Sequence, residues 1–336
     1  MAQERLKKLL EACAGASQAL ILPHNDPDPD AIASALALRY LLEQQLGLKG
    51  HVAYCGIVGR AENKALVRYL DHPMQRLASG ELDAIRPIAL VDTQPGAGNN
   101  ALPPHVPVAI VVDHHPMRAA TASAVFADVR PEIGSTSTML TQYLQAAEIE
   151  PPTPLATALF YGIKTDTLGL ARGASPADVK AYFYLQTRVD VEALAEIEQA
   201  QLPIEYFRQL DSALHAVRIY DDVVVCYVGP APRPDLAAEM ADLFLRLRGT
   251  QWVICIEAYN DELVVAVRAR NRRGGAGELV RMIVGDQGTA GGHGSMAAGH
   301  VPLLGREPEQ LARQLGQRAL ESLRVPTQAR GRPLTE

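Results

Sequence analysis

The sequence lacks any apolar run that approaches the ~20 residues needed for a membrane-spanning helix. Its first residues, Met-Ala-Gln-Glu-Arg-Leu-Lys-Lys-Leu-Leu, have the pattern of an amphipathic helix and lack the apolar core and cleavage site of a signal peptide. We therefore expect a cytoplasmic protein with no membrane partner.

Cysteine is scarce and scattered along the chain. Cys13, Cys55, Cys226 and Cys255 show no C-x-x-C spacing, and three of them lie in apolar strand-like or helical segments. This pattern predicts buried thiols and argues against a disulfide framework or a cysteine zinc site.

An excess of positive charge is also missing. The formal net charge is −6, whereas proteins that hold long duplexes through many phosphates are usually basic. A short anionic substrate, held by metal ions and a few arginines, remains compatible with this balance.

The chain has 336 residues, 48% of them hydrophobic, which is enough for two globular domains. In residues 1–190 strand-like runs alternate with helical ones, which predicts an α/β domain whose parallel sheet has helices on both faces. Residues 191–217 carry no strand signal and are predicted to form a helical linker. A smaller α/β domain, which would bind substrate, is predicted for residues 218–326.

Acidic and histidine residues follow three apolar runs that read as buried strands, which end at Pro23, Val91 and Val112. The carboxyl ends of parallel strands lie at one edge of a sheet, where open α/β sheets bind ligands. Asp30 is also well placed to cap the helix that follows the first run. The residues at the three ends are His24, Asp28 and Asp30; Asp92; and Asp113, His114 and His115.

Each of these groups alone has a simpler explanation, as a turn with a helix cap, a strand-end turn residue or a hydrogen-bonded loop. Together they would repel one another and lose hydration unless cations were present. Two divalent cations would neutralise them, and a ligand set of carboxylates and imidazoles suits Mn²⁺ better than Mg²⁺. Because such a pair activates water for attack on phosphorus, the sequence predicts hydrolysis of a phosphoester.

The motifs of this edge resemble those of the DHH phosphoesterases, a family named for the triplet Asp113-His114-His115. The resemblance extends to H-N-D-P-D-P-D-A at 24–31, V-D-T at 91–93 and T-D-T at 165–167. It implies one metal held by His24, Asp28 and Asp92, and a second held by Asp30, Asp92, His114 and Asp166.

The same resemblance implies roles for two further residues. Asp113 would orient a neighbouring histidine, and His115 would face the substrate phosphate to stabilise charge or protonate the leaving oxygen. The first motif departs from the family pattern, since Asp26-Pro27 stands before the first aspartate of the motif and Pro29 between its two aspartates. No ligand is lost, but the added charge and stiffness would alter metal affinity.

In the second domain, residues 289–299 are rich in small residues around one histidine and resemble the glycine-rich signature of a domain attached to many DHH enzymes. A plain turn is the alternative. The strand before this stretch ends in arginines that could clamp phosphate, and Arg268 resembles the arginine with which the family reads its substrate. Arg272 and Arg273 fit a solvated basic turn equally well. The predicted substrate contacts are Arg268, Arg270, Gly291, Gly292 and His293.

The chain lacks the basic Ser-Arg-Lys-Lys signature of the family's pyrophosphatases and is shorter than its RecJ-type exonucleases. It is most similar to compact two-domain oligoribonucleases. This resemblance implies an Mn²⁺-dependent phosphodiesterase or exonuclease that degrades short single-stranded oligonucleotides, with 3′-phosphatase action on adenosine 3′,5′-bisphosphate. A cyclic or linear dinucleotide phosphodiesterase, or a nucleotide-sensing module without catalysis, are the alternatives. A homodimer is left open.

Overall fold

The computed structural model describes residues 2–271, 275–326 and 328–335. The chain divides into two compact units, Met1–Ala200 and Gln201–Glu336. The segment predicted as a linker is shared between them, because helix α8 (Val191–Glu198) belongs to the first unit and helix α9 (Ile204–Ala216) to the second.

The first unit contains a six-stranded sheet in the order β3-β2-β1-β4-β5-β6, in which every pair of neighbours is parallel. The predicted α/β fold class with a parallel sheet is therefore confirmed. The strands are β1 (Gln18–Pro23), β2 (Lys49–Tyr54), β3 (Gln75–Arg76), β4 (Ile88–Val91), β5 (Ile110–Asp113) and β6 (Phe126–Val129).

Both faces of this sheet are buried under other parts of the unit. Alternate residues of the central strands point to opposite sides, so each strand contributes side chains to both cores. Ile21, Val91 and Val112 pack with the long helices on one face, while Leu22 and Leu90 pack on the other against side chains from α4 and the connecting segments. The helices are α1 (Ala2–Glu11), α2 (Pro29–Leu46), α3 (Ala61–Tyr69), α4 (Glu81–Ala84), α5 (Thr136–Ala146), α6 (Thr153–Asp166), α7 (Pro176–Gln186) and α8.

The second unit contains a seven-stranded mixed sheet in the order β11-β12-β10-β9-β8-β7-β13. Helices α11 and α12 cover one face, and α9 and α10 cover the other. The strands are β7 (Arg218–Tyr220), β8 (Val223–Pro230), β9 (Trp252–Tyr259), β10 (Glu262–Ala269), β11 (Thr289–His293), β12 (Met296–Pro302) and β13 (Arg332–Pro333), and the helices are α10 (Leu236–Phe244), α11 (Ala276–Val284) and α12 (Pro308–Ser322).

The glycine-rich stretch is a pair of antiparallel strands, β11 and β12, and not a loop. Gly292 shows why glycine is needed here: its φ is +126°, and a Cβ at this position would lie 2.4 Å from the Cα of Ala297. The scarcity of side chains lets the two strands approach closely, so a composition typical of turns is here part of a sheet.

The four cysteines are free thiols, and Cys13, Cys226 and Cys255 are buried, as their sequence contexts predict. Within the ranges that the structure describes, no helix combines the length and the apolar character required to cross a bilayer.

Candidate metal centre

The predicted ligands meet at the carboxyl edge of the first sheet. His24 follows β1, Asp92 follows β4, and His114 follows β5. Because β4 lies between β1 and β5, these three strand ends are neighbours. Asp166, the last residue of α6, joins them from the helical layer.

Asp92 lies at the centre of this arrangement. Its Oδ2 is 3.5 Å from Nε2 of His24, and its Oδ1 is 3.4 Å from Nε2 of His114. Its backbone has a φ of +59°, in the left-handed region that residues with a Cβ seldom adopt. Strained conformations of this kind cost about 1–3 kcal/mol and cluster at functional sites.

Two groups of possible ligands share the space around Asp92. In the first, His24 Nε2 is 3.7 Å from Asp28 Oδ1. In the second, His114 Nε2 is 3.4 Å from Asp166 Oδ2. Ligand atoms lie within 4.8 Å of one another in each of three combinations: His24, Asp28 and Asp92; Asp30, His114 and Asp166; and Asp92, His114 and His115.

Asp28, and not Asp30, caps helix α2. Its Oδ1 accepts a hydrogen bond from the N–H of Ala31 at 3.0 Å, and Pro29 occupies the first turn, where proline is well tolerated. The expectation that Asp30 caps this helix was therefore wrong. Capping by Asp28 instead leaves the Asp30 carboxylate available to contact a different helix.

The contact that Asp30 makes is with the N-terminus of helix α5. The N–H of Thr136 donates to its Oδ2 and the N–H of Ser137 to its Oδ1, both at 2.7 Å. Gly162 of α6 permits this packing, because a Cβ there would lie 3.0 Å from Asp30 Cα and 2.5 Å from Ser137 Oγ. The buried Asp30 carboxylate is thus held in one orientation by backbone donors.

Thr136 also contacts Asp92, a role that the sequence interpretation missed. Its hydroxyl donates to Asp92 Oδ1 at 2.8 Å, in a fully buried environment. The run Gly134-Ser-Thr-Ser-Thr indicated only the start of a helix. An additional signal was the density of hydroxyl residues at that start, beyond what one cap requires.

Asp113 lies beside this cluster and binds His115. Its Oδ1 is 2.8 Å from His115 Nδ1 and accepts from the His115 backbone N–H at 3.2 Å. Its Oδ2 accepts a hydrogen bond from Gln94 Nε2 at 2.6 Å. Asp113 is buried, whereas the side chain of His115 is 42% exposed, so the imidazole extends from a fixed base toward the surface.

Asp30 and Asp166 are protonated more readily than ordinary carboxyl groups, whereas the hydrogen bond and charge of His24 lower the pKa of Asp28 in spite of burial. Burial raises the pKa of Asp30 well above its usual range, and the charges of Asp92 and Asp28 raise it further. Burial is also the first cause of the raised pKa of Asp166, followed by the charges of Asp30, Asp28 and Asp92. Mutual repulsion is therefore a real feature of this edge.

In His24 and His115, neighbouring carboxylates outweigh burial and favour the charged form of the side chain. Burial disfavours the imidazolium of His24, but a hydrogen bond with Asp28 and the charges of Asp28 and Asp92 outweigh it and raise its pKa to about 10. For His115 the bond to Asp113, with the charges of Asp92 and Asp113, likewise overcomes burial and raises its pKa to about 9. In the absence of cations, these histidines carry the positive charge that the acids attract.

The residues fit a divalent metal centre. Carboxylate oxygens and imidazole nitrogens are ligands for Mn²⁺ and related ions, and repulsion among the acids is what a bound cation relieves. His24, Asp28 and Asp92 could hold one ion, and Asp30, Asp92, His114 and Asp166 a second. This division of ligands remains a prediction, although the structure brings all of these side chains together.

The unusual Asp26 of the first motif has a structural function. Its Oδ1 accepts from the N–H of Ile57 at 2.7 Å, and its own N–H donates to Cys55 O at 3.0 Å. With a φ of +53°, it turns the chain between His24 and Asp28 and attaches this loop to the end of β2. The charge of Asp26 is therefore directed toward a backbone donor.

The predicted substrate contacts of the second unit lie on β10 and β11. Arg268 is buried and forms an ion pair with Asp242 at 2.5 Å. Arg270 donates to the carbonyl oxygens of Thr250, at 2.9 Å, and of Leu245. Both arginines thus contact acceptors of their own unit, and their contact with substrate stays a prediction.

The other predicted substrate contacts are Gly291, Gly292 and His293, on strand β11. Gly291 and Gly292 pair with Ala298 and Ala297 of β12. The backbone of His293 ends β11, whereas its side chain, like Arg272 and Arg273, lies outside the described residues.

Comparison with known proteins gives a family match for the first unit. Residues 18–163 match the model described as "DHH family, N-terminal domain". An uncharacterized protein of Methanocaldococcus jannaschii is 37% identical over 286 residues, which are 84% of this chain and 58% of that protein. A probable manganese-dependent inorganic pyrophosphatase of Lactobacillus gasseri is 33% identical over 181 residues, which are 53% of this chain and 54% of that protein.

The chain thus spans less than two thirds of the length of these relatives. Among solved structures, an exopolyphosphatase-related protein from Bacteroides fragilis is similar, with a TM-score of 0.74 and 15% identity over 95% of this chain and 96% of that chain. This last likeness concerns the fold alone.

Proposed function

Because the chain carries a DHH family domain in its first unit, we propose that the protein is a hydrolase of phosphoester bonds that uses divalent cations. One observation carries the proposal: three strand ends and a helix end bring carboxylate and imidazole ligands together around Asp92. Loss of any one of these ligands would have indicated a binding module without catalysis. The sequence retains every ligand of the predicted set, which supports catalysis.

The chain's own contribution is orientation. Bound cations would neutralise charge on the phosphate and make a water molecule more acidic, which is the chemistry that two-metal hydrolases need. The N-terminus of α5 fixes the Asp30 carboxylate, and the Thr136 hydroxyl fixes one oxygen of Asp92. Ligands held in this way lose little conformational entropy when a cation binds.

His115 is the proposed proton donor. Hydrolysis joins a water oxygen to phosphorus and breaks the bond to the leaving oxygen, which then needs a proton, while the proton of the water passes to solvent. Asp113 receives the Nδ1 side of the His115 ring, so Nε2 is the nitrogen that would face a substrate. Against the effect of burial, the hydrogen bond with Asp113 raises the pKa of His115 and so favours the protonated ring that a proton donor needs.

The proposed metal is Mn²⁺, and the proposed substrates are short single-stranded oligonucleotides. Mixed imidazole and carboxylate ligands support Mn²⁺, and the probable pyrophosphatase of Lactobacillus gasseri is described as manganese-dependent. The glycine-rich pair β11–β12 and the arginines near it support a nucleotide substrate, and the net charge of −6 argues against long duplexes. Release of the 3′-phosphate from adenosine 3′,5′-bisphosphate is a proposed further activity.

A substrate panel tests the proposal. With Mn²⁺ present, di- to pentanucleotides, cyclic dinucleotides, adenosine 3′,5′-bisphosphate and pyrophosphate are compared at equal concentrations by following released products. We expect the highest kcat/KM on the linear oligonucleotides. Preference for pyrophosphate or for a cyclic dinucleotide would refute the proposed substrate class but leave a phosphoester or phosphoanhydride hydrolase.

Replacement of the shared ligand tests the metal centre. Asp92→Asn should lower kcat/KM by about 10³-fold or more, because it removes the carboxylate that the predicted division of ligands assigns to both metal ions. Asp83→Asn, at an exposed acid of α4, is the matched control and should behave as wild type. Equal turnover by the Asp92 variant and the control would contradict the assignment, and metal-loaded wild type without turnover on any substrate would favour a sensing module.

A further inference from the structure

Gln94 connects the metal centre to the segment that carries His115. It follows β4, two residues after Asp92, and its side chain is 1% exposed. Its position after the V-D-T motif indicated no role from the sequence. In the structure its side-chain amide contacts Asp113 and the backbone of the segment after β5.

All four hydrogen-bonding positions of the Gln94 amide are used. Nε2 donates to Asp113 Oδ2 at 2.6 Å and to Pro116 O at 3.1 Å, and it also lies 3.4 Å from His115 O. Oε1 accepts from the Arg118 N–H and from the Thr121 hydroxyl, both at 2.8 Å. Because a glutamine amide offers two donor hydrogens and two acceptor positions, no capacity is left over.

This arrangement fixes which way the amide points. If the oxygen and nitrogen were exchanged, the oxygen would face the Asp113 carboxylate and the nitrogen would face the Arg118 N–H, and both contacts would be repulsive. Glutamate has no hydrogen to donate when ionised, and asparagine is one methylene shorter. The site is therefore specific for glutamine by both chemistry and length.

From Gln94 the contacts continue to His115. Gln94 binds one oxygen of the Asp113 carboxylate, and the other oxygen binds the backbone N–H and the Nδ1 of His115. A carboxylate held on both oxygens cannot rotate, so the imidazole beyond it has a fixed direction. We propose that Gln94 is a positioning residue, which acts through Asp113 to aim the His115 imidazole at the substrate.

This inference rests on the proposed function, in which His115 acts on substrate. A purely structural alternative is that Gln94 only anchors residues 115–121, through its oxygen and its contacts with the carbonyl oxygens of His115 and Pro116. The two readings differ in the Asp113 contact. Positioning needs that contact, whereas anchoring of the segment does not.

The test uses two variants of the full chain. Gln94→Met keeps the approximate size and removes every hydrogen bond of the side-chain amide, whereas Thr121→Val removes one bond to the segment and leaves the Asp113 contact. For Gln94→Met we expect kcat to fall by about 10- to 100-fold, with KM for a dinucleotide and the Kd for Mn²⁺ changed by less than about threefold. Thr121→Val should change kcat by less than about threefold.

A crystal structure of Gln94→Met gives a readout that does not depend on activity. We expect the His115 ring to leave the position at which Nδ1 is 2.8 Å from Asp113 Oδ1, or to occupy more than one rotamer. A ring that stays in place would overturn the proposal. Equal loss of kcat in both variants would also overturn it in favour of segment anchoring.

Two further outcomes are separable. If wild type hydrolyses no phosphoester, the proposed function fails, and the ring position in Gln94→Met still decides whether Gln94 positions His115. If Gln94→Met does not fold, Gln94→Asn replaces it, because the shorter amide cannot reach both Asp113 and Arg118. The same shift in ring position and the same fall in kcat are then expected.

Discussion

Asp30 in the first unit and Glu257 in the second are both fully buried carboxyl groups at the N-terminus of a helix. Asp30 accepts from the N–H groups of Thr136 and Ser137 in α5, and Glu257 Oε2 accepts from the Ala237 N–H in α10 at 2.9 Å. Burial is the first cause of a raised pKa in each, and it brings the pKa of Glu257 to about 8.

Asp30 and Glu257 differ in the groups that surround them. Around Asp30 the next causes are the charges of Asp92 and Asp28, and a set of possible metal ligands surrounds it. Near Glu257, the hydrogen bond from Ala237 lowers the pKa and the charge of Asp235 raises it. Among the described residues, none of the groups that could hold a metal includes Glu257. A raised pKa therefore indicates a functional site only when ligands converge on the same point.

The largest expected difference between Asp30 and Glu257 is in the protons released when Mn²⁺ binds. The pKa of His24 is raised to about 10, so this ligand holds a proton that it must lose when a metal binds, and burial and neighbouring carboxylates favour the protonated forms of Asp30 and Asp166 in the same direction. Mn²⁺ affinity should consequently rise with pH, by about tenfold per pH unit for each proton released. Calorimetric titration between pH 6 and 8, in buffers of different ionisation enthalpy, measures the number of protons.

Two variants make this measurement specific. Asp30→Asn should reduce the number of protons released, because the amide has none to lose, whereas Glu257→Gln should leave it unchanged. Binding of Mn²⁺ without proton release at neutral pH would contradict the pKa values assigned to the cluster. Equal effects of the two substitutions would remove the distinction between the two acids.

Glu257 should instead affect stability as a function of pH. Its folded pKa of about 8 lies above the ordinary value of 4.5, so at pH values between these two the unfolded chain ionises while the folded protein stays protonated. Stability is then lost as pH rises from 4.5 to 8. At about 1.36 kcal/mol per pH unit, the full shift corresponds to about 5 kcal/mol, of which roughly 3.5 kcal/mol develops between pH 5 and 8. The free energy of unfolding of Glu257→Gln should therefore rise relative to wild type by about that amount over this range.

Urea denaturation at several pH values tests this prediction, with Glu278→Gln, at an exposed glutamate of α11, as the control. The control should show no pH-dependent difference from wild type. A gap between Glu257→Gln and wild type that does not widen with pH would show that the folded protein accommodates the ionised carboxylate. Glu257 Oε1, which has no hydrogen-bond partner among the described residues, makes that outcome costly.

The sequence allowed the metal cluster to be predicted but not the groups that hold it. Strand ends at His24, Asp92 and Asp113 can be located from apolar runs, because strand order and parallel direction bring such ends together. The contact between Thr136 and Asp30 joins residues 106 positions apart. It depends on how α5 packs, and no local pattern reports that. Likewise, Glu257 within W-V-I-C-I-E-A-Y shows only an acid in an apolar strand.

Substitution of Thr136 has the smallest expected effect, a change in Mn²⁺ affinity. It also tests whether the hydroxyl orients a metal ligand or only stabilises the fold. Thr136→Val keeps the shape and the backbone N–H that binds Asp30 but removes the hydroxyl that donates to Asp92. Since partners of metal ligands typically contribute 10- to 100-fold, we expect Mn²⁺ affinity to fall by about tenfold, and Thr136→Ser to restore it. Calorimetric titration at one pH measures both.

The matched control lies two residues along the same helix. Thr138 is equally buried, and its hydroxyl donates to Asp178 Oδ1 at 2.6 Å, away from the possible ligands. Thr138→Val should cost about 1 kcal/mol or more of stability and leave Mn²⁺ affinity unchanged. If both valine variants lose stability and neither loses affinity, the Thr136 hydroxyl only satisfies its own hydrogen-bonding need, and the orientation of Asp92 must come from its left-handed backbone alone.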